Sequence, residues 1–326
     1  MTSTASTSAR RGRTRSLAQQ ESRAGLALIF PTVVIIFVVV IVPVLWTVML
    51  AFQDIRLLNI RTAGIFSSYT LDNVKDVLSS PDLRRSLINT LVYTVGGTAT
   101  SISLGMVAAL AVRTPFRGRT IVRGVMLLPY VAPVVAATFV WQIMLDPQFG
   151  IVNHAGVNIL GWNQAIPFLS EQTGQLSILG WQLTVPTALV TVIAFEAWRY
   201  FPFAFLFILA RIQAMPGELE EAARVDGATP TQRFRHIIWP QLQPVIAMLA
   251  VLRFIWSFNK FDDVYLLTGG GAGTEVVSVR VYQLLTAQAD VGGAAAQATV
   301  LAVILAICLT GYFLFFGRNQ KPGASE

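Results

Sequence analysis

Six stretches of this chain are apolar for long enough to decide its solvent. Leu26 to Ala51, Leu91 to Val112, Ile121 to Leu145, Thr184 to Ala210, Val245 to Phe258 and Ala296 to Phe316 carry little charge. A helix needs about 20 such residues to cross the hydrocarbon core of a bilayer, and every run but the fifth has that length. The fifth crosses only if Pro240 to Leu242 and Asn259 to Phe261 extend it. Lipid offers no partner to backbone N–H and C=O groups, so each span must satisfy its own. The chain is therefore predicted to be an all-α membrane protein with six transmembrane helices. Composition agrees: 54% of residues are hydrophobic, 13% are charged, and the mean hydropathy is +0.61. The first run is too long for the apolar core of a cleaved leader and reads as an uncleaved first span.

Sidedness follows from Lys and Arg. With the N-terminus inside, the inner segments hold Arg10, Arg11, Arg13, Arg15 and Arg23, then four arginines from Arg113 to Arg123. Arg211, Arg224, Arg233, Arg235, Arg318 and Lys321 complete that side. The bias is fifteen against seven and puts both termini in the cytoplasm. The formal net charge of +7 would point to nucleic acid in a soluble chain. Here it is spread over loops beside spans, and no nucleic-acid partner is expected. Residues 1–23 read as a disordered cytoplasmic tail, 24–318 as the transmembrane domain and 319–326 as a second tail. Cys308 is the single cysteine and lies in an apolar run, so the chain can form no internal disulfide. His154 and His236 fall on opposite sides of the membrane, and no metal site is expected.

Between the fourth and fifth spans, at about residues 212–240, lies a polar, small-residue segment, Glu221-Ala222-Ala223-Arg224-Val225-Asp226-Gly227-Ala228. It reads as two short helices. Pro216 stands near the start of the first, and Gly227 where a helix ends in the left-handed conformation. Thr229-Pro230-Thr231-Gln232 restarts a helix with a capping box, running to Trp239 before Pro240 and Pro244 lead into the fifth span. The pattern EAA, two residues, DGA, eight residues, then Ile237-Ile238-Trp239-Pro240 resembles the EAA loop of permease subunits of binding-protein-dependent ABC importers. Trp239 stands where that family usually has Leu.

The resemblance implies a permease that couples to a separate ATPase through Glu221, Ala222, Ala223, Asp226, Gly227, Ala228 and Pro240. Two ATPase copies, a second homologous permease and an extracytoplasmic substrate-binding protein would complete the importer. The chain has no G-x-x-x-x-G-K-[ST] run, so ATP and Mg would be bound by the partner ATPase and this chain carries no cofactor. No catalytic constellation has a supporting motif, and no enzyme activity of its own is expected.

Charge inside a span is costly and marks a packed interior or a water-filled path. Glu196 and Arg199 lie three residues apart on one face of the fourth span, and Arg253 lies in the fifth. Glu196-Ala197-Trp198-Arg199 with Pro202-Phe203 resembles the fourth span of carbohydrate-importer permeases, as do Leu128 to Pro133, Trp141 to Asn153 and Phe258 to Asp262 elsewhere. That resemblance implies translocation of a sugar, or a related polyol or sugar-phosphate, with Glu196, Arg199, Tyr200, Arg253 and Asn259 lining the path. Two alternatives stand beside it. Glu196 and Arg199 form a structural ion pair, or the chain is a secondary transporter driven by an ion gradient that uses them as a relay.

Overall fold

A computed structural model describes residues 28–178 and 181–316. Both expected tails, and the first residues of the first apolar run, lie outside them. The helices are α1 Leu28–Leu50, α2 Asp72–Ser79, α3 Pro81–Ala111, α4 Arg119–Val131, α5 Val134–Leu145 and α6 Ile151–Asn158. They continue as α7 Thr187–Gln213, α8 Gly217–Val225, α9 Pro230–Phe258, α10 Asp262–Thr268, α11 Val277–Thr286 and α12 Val291–Phe316. Five of them are long and apolar enough to cross a membrane, namely α1, α3, α7, α9 and α12. The count reaches six if α4 and α5 together make one crossing.

That pair is the third apolar run. Its two prolines, Pro129 and Pro133, read in the sequence as a break in the span, and the chain bends by 97° between α4 and α5, at Pro133, while Pro129 stays inside α4. Ala132 precedes Pro133 and is held extended at φ −60°, ψ 136°, as the ring of the next residue requires. Pro133 is itself extended and caps the start of α5.

The fifth span is corrected. No break separates Trp239 from the apolar run: α9 is one helix of 29 residues. A π-helical turn at Phe234–Ile238, in which the Trp239 N–H reaches the Phe234 carbonyl, widens the helix just before Pro240. The same device recurs in α1, where a π-helical turn at Phe37–Ile41 comes just before Pro43. Asn259 ends α9, so Asn259 to Phe261 add no length to the span.

The main packing is α3 against α7. The buried face of α3 carries Thr90, Thr94, Gly97, Ser101, Gly105 and Ala108. Between apolar helices in lipid there is little hydrophobic gain from association, so close backbone approach through small residues supplies the contact. A Cβ on Gly105 would lie 2.7 Å from the Ala204 Cβ and the Phe205 N, and 2.9 Å from the Phe201 O. Backbone cannot yield there, so Gly105→Leu should destabilise the helix pair by about 1–3 kcal/mol. Gly124→Ala, where a Cβ meets nothing within 4 Å, serves as a neutral control. Thermal unfolding of the two variants in detergent would separate them, and equal melting points would rule out the tight α3–α7 approach.

Beyond the spans, the segment before α7 holds a feature the sequence reading lacks. Gly174–Ile178 and Trp181–Val185 form an antiparallel two-stranded sheet, with Gly174 opposite Val185. Thr184 and Val185 therefore belong to a strand, not to the start of a span. Asn153 ties this region down: its side chain accepts from the Ile166 N–H at 2.7 Å and donates to the carbonyls of Leu145 and Ile166.

Candidate functional site

Two groups of residues carry polar chemistry out of proportion to their surroundings. The first is the segment around α8. Its turn is built as its residues require. Gly227 has φ +76°, where L side chains are strained, and the Gly227 and Ala228 N–H groups close back on the carbonyls of Arg224 and Ala223. Thr229 and Gln232 satisfy each other's backbone N–H groups in a capping box that opens α9. Glu220 anchors the helix by donor contacts from Arg113 at 3.1 Å and Arg224 at 3.8 Å. Its neighbour Glu221 is exposed and makes no ion pair among the described residues. Ala222, Asp226 and Gly227 are exposed and Ala223 and Ala228 half-buried. Leu219 and Val225 leave apolar surface bare, Val225 at 87% exposure. Pro240 is exposed but sits inside α9, beyond this turn.

The second group lies where α3, α7, α9 and α10 meet. Glu196 on α7 is fully buried and its carboxylate is saturated. Oε1 accepts from the Arg253 Nη2 and from the Ser257 hydroxyl at 2.7 Å, and Oε2 accepts from the Tyr93 hydroxyl at 2.9 Å. The alternative in which Glu196 pairs with Arg199 is not what the described residues form. Arg253 and Ser257 lie one turn apart on α9 and present two donors to one carboxylate, which a residue on Glu196's own helix does not match. Arg199 keeps Nε and Nη1 buried without a hydrogen-bond partner. Tyr200 is ringed by cations: the Arg253, Lys260 and Arg199 charge centres lie 4.2, 4.8 and 5.6 Å from its ring centroid. Lys260 also donates to the Tyr200 hydroxyl and lies 3.6 Å from Asp263. Burial pushes the Asp263 carboxyl up to about 8, since Lys260 does not offset the loss of solvent and the Glu196 charge opposes ionisation.

Among the five residues singled out in the two spans, the cluster therefore unites Glu196, Arg199, Tyr200 and Arg253. Asn259 stands apart, exposed, with its amide donating to the Ile255 carbonyl. Glu196 and Arg253 are 0% and 1% exposed and present no surface to a solute in this conformation. Tyr93, Ser257, Lys260 and Asp263 escaped the sequence reading; only the intramembrane position of Tyr93 and Ser257 among apolar residues hinted at them. Beside the cluster runs an aromatic stripe. Tyr130 contacts Tyr200 and Phe203 at 6.0 and 6.1 Å, and Phe203 contacts Phe207 and Trp256 at 4.9 and 5.1 Å. Tyr130, Phe207 and Trp256 are exposed at its edge.

Comparison with known proteins gives the relatives of the whole chain. The family described as "Binding-protein-dependent transport system inner membrane component" matches residues 101–320. The inner membrane ABC transporter permease protein YcjO of Escherichia coli (strain K12) is 36% identical over 235 residues, covering 72% of this chain and 75% of that protein. The trehalose/maltose transport system permease protein MalF of Thermococcus litoralis is 27% identical over 309 residues, covering 94% of this chain and 98% of that protein. Among solved structures, a chain of a bacterial ABC transporter involved in the import of the acidic polysaccharide alginate superposes with a TM-score of 0.77 at 22% identity, over 94% of this chain and 100% of that one.

Proposed function

This chain belongs to the family of binding-protein-dependent transport system inner membrane components, and on that premise we propose that it moves a sugar, or a related polyol or sugar-phosphate, through the membrane. A separate ATPase supplies the energy, and ATP and Mg are bound there. The observation that carries the coupling half of this reading is the exposed Glu221, without an ion pair among the described residues, on a short helix whose apolar Leu219 and Val225 are left bare. A carboxylate flanked by small and apolar groups suits the desolvated edge of a protein interface better than open solvent.

The transport half is supported by the aromatic stripe. Tyr130, Tyr200, Phe203 and Trp256 offer stacking faces, and the Tyr130 and Tyr200 hydroxyls offer hydrogen-bonding groups, the chemistry a sugar ring requires. Glu196 and Arg253 act behind that surface by holding α7 to α9. A trehalose/maltose transport system permease among the relatives supports a carbohydrate-like solute. The assembly is completed by a second permease, two ATPase copies and an external binding protein; the solved alginate ABC transporter in complex with a periplasmic protein supports the last of these. Both termini and the α8 turn face the cytoplasm, in keeping with the distribution of Lys and Arg.

Co-purification tests this reading. The tagged chain, extracted gently, should bring a P-loop ATPase and a second permease with it. Recovery of the chain alone, with transport intact and sensitive to a protonophore but not to vanadate, would overturn it.

A further inference from the structure

α10 opens with a carboxyl that has no donor. Asp263 is 0% exposed, and among the described residues no hydrogen-bond donor reaches either of its oxygens. Lys260 stands 3.6 Å away, beyond hydrogen-bond length, and donates instead to the Tyr200 hydroxyl. A buried carboxylate without a donor is among the most costly groups a fold can hold. Its neighbour Glu196 differs in this respect: an arginine and two hydroxyls serve that carboxylate. Two carboxyls side by side, one of them provided with donors and the other bare, divide their roles into one charged and one neutral.

The groups around Asp263 agree. Glu196 and Arg199 act on it from α7, Lys260 from the turn after α9, and the Tyr93 hydroxyl from α3. Arg253 on α9 is turned to Glu196, and Tyr200 to Lys260. α5 has no titratable side chain and reaches α10 through Gln142, whose amide donates to the Leu266 carbonyl at 2.8 Å. Asp262, next in the chain, is exposed. Burial and the Glu196 charge outweigh the two cations and hold the Asp263 carboxyl at about 8, against an ordinary 3.8. Asp263 lies in the first turn of α10, and the Val264 and Leu267 that follow it share one buried cluster with Leu189, Val192 and Phe195 of α7.

We propose that Asp263 is a positioning residue that works as a neutral carboxylic acid, letting α10 lie against the charged Glu196 and releasing its proton to water when that contact opens. A second carboxylate at this place would repel the first and push α10 off α7. The pH dependence has a definite sign. Unfolded, Asp263 loses its proton near 3.8; folded, it does so at about 8. Across that window the folded chain holds one proton more. The stability this group supplies is complete below the lower value and is lost as pH rises to the upper one. Asp263→Asn is a neutral isostere that does not titrate. Relative to it, the wild-type unfolding constant should rise about tenfold per pH unit from about pH 4 to about pH 8 and then level off.

The test is difference infrared spectroscopy of the purified importer complex, which detects the carbonyl stretch of a protonated carboxyl. The protonation state of Asp263 is independent of which solute passes and of what docks at α8, so it is measured without transport. At about pH 6 the wild type should show a band that Asp263→Asn lacks. That band should disappear with a midpoint of about 8. Lys260→Met should move the midpoint upward, since this ammonium is the main group favouring ionisation, and that shift identifies the band even where Asp263→Asn does not fold. Uptake should fall through the same pH in the wild type and hold in Asp263→Asn. Absence of the band at about pH 6, or a midpoint unmoved in Lys260→Met, would overturn the proposal. So would an Asp263→Asn protein less stable than wild type at every pH, the mark of an ionised Asp263 paired with Lys260. Equal pH profiles of uptake in the two proteins would overturn the positioning role.

Discussion

Arg253→Met should cost about 3–5 kcal/mol of stability, because it strands the Glu196 carboxylate, fully buried, with only the Tyr93 and Ser257 hydroxyls for partners. The loss comes from leaving a charge unpaired in a low dielectric, not from any large net gain that the pair itself supplies. Glu196→Met, which strands Arg253 instead, should cost about as much. The double variant Glu196→Met/Arg253→Met removes both charges and should recover most of the loss, since buried pairs exchanged for apolar groups are often neutral or better. Thermal unfolding of the four proteins in the same detergent completes the cycle. A double variant no more stable than either single one would mean that the pairing of these two residues does not brace α7 against α9. The same four proteins separate structure from transport. If the double variant regains stability and uptake together, the pair is a brace; if stability returns without uptake, the charges themselves are required along the path.

Glu221→Lys and Gly227→Pro should both abolish uptake while leaving the chain inserted, and they should do so by different routes. Glu221 has no partner within the described chain, so reversing its charge acts on what docks against it. Loss of one member of a desolvated interface pair costs about 2–5 kcal/mol, so affinity for the ATPase should fall by about thirtyfold or more. Proline at position 227 cannot reach φ +76° and has no N–H for the Arg224 carbonyl, so the turn between α8 and α9 must open. Glu220→Ala is the informative control. Glu220 pairs with Arg113 and Arg224 inside the chain at a partly exposed site, and its removal should cost less than about 1 kcal/mol and spare uptake. ATPase recovery after purification and ATP-driven uptake into vesicles measure all three. Full uptake in the Glu221 and Gly227 variants would end the coupling role of this turn.

The features legible in the sequence were those fixed by neighbouring residues. The capping box at Thr229, the left-handed Gly227 and the six apolar runs each depend on a few positions in a row, and the structure contains them. What was missed depends on distance along the chain or on compensation. Glu196 finds its partners 57, 61 and 103 residues away, so its pairing with Arg199 was a local inference about a long-range fact. Pro133 bends the third apolar run sharply, whereas Pro240 and Pro43 do not interrupt theirs. A widened turn stands just upstream of the latter two, which no local propensity announces. Nothing local marks the small residues of α3; it is the fold that brings Gly97 and Gly105 against α7 at distances that leave no room for a side chain.

The continuity of α9 has a mechanical consequence. Its 29 residues make a single rod about 43 Å long, with the capped Thr229 turn at one end and Arg253, Ser257 and Trp256 near the other. A rod of this length converts a small push into a larger swing: a tilt of about 5° at the turn displaces the far end by about 4 Å. That is enough to pull two donors off a carboxylate. The π-helical turn at Phe234–Ile238 is the place where such a lever can flex, which puts its compliance next to the handle and its stiffness next to the load.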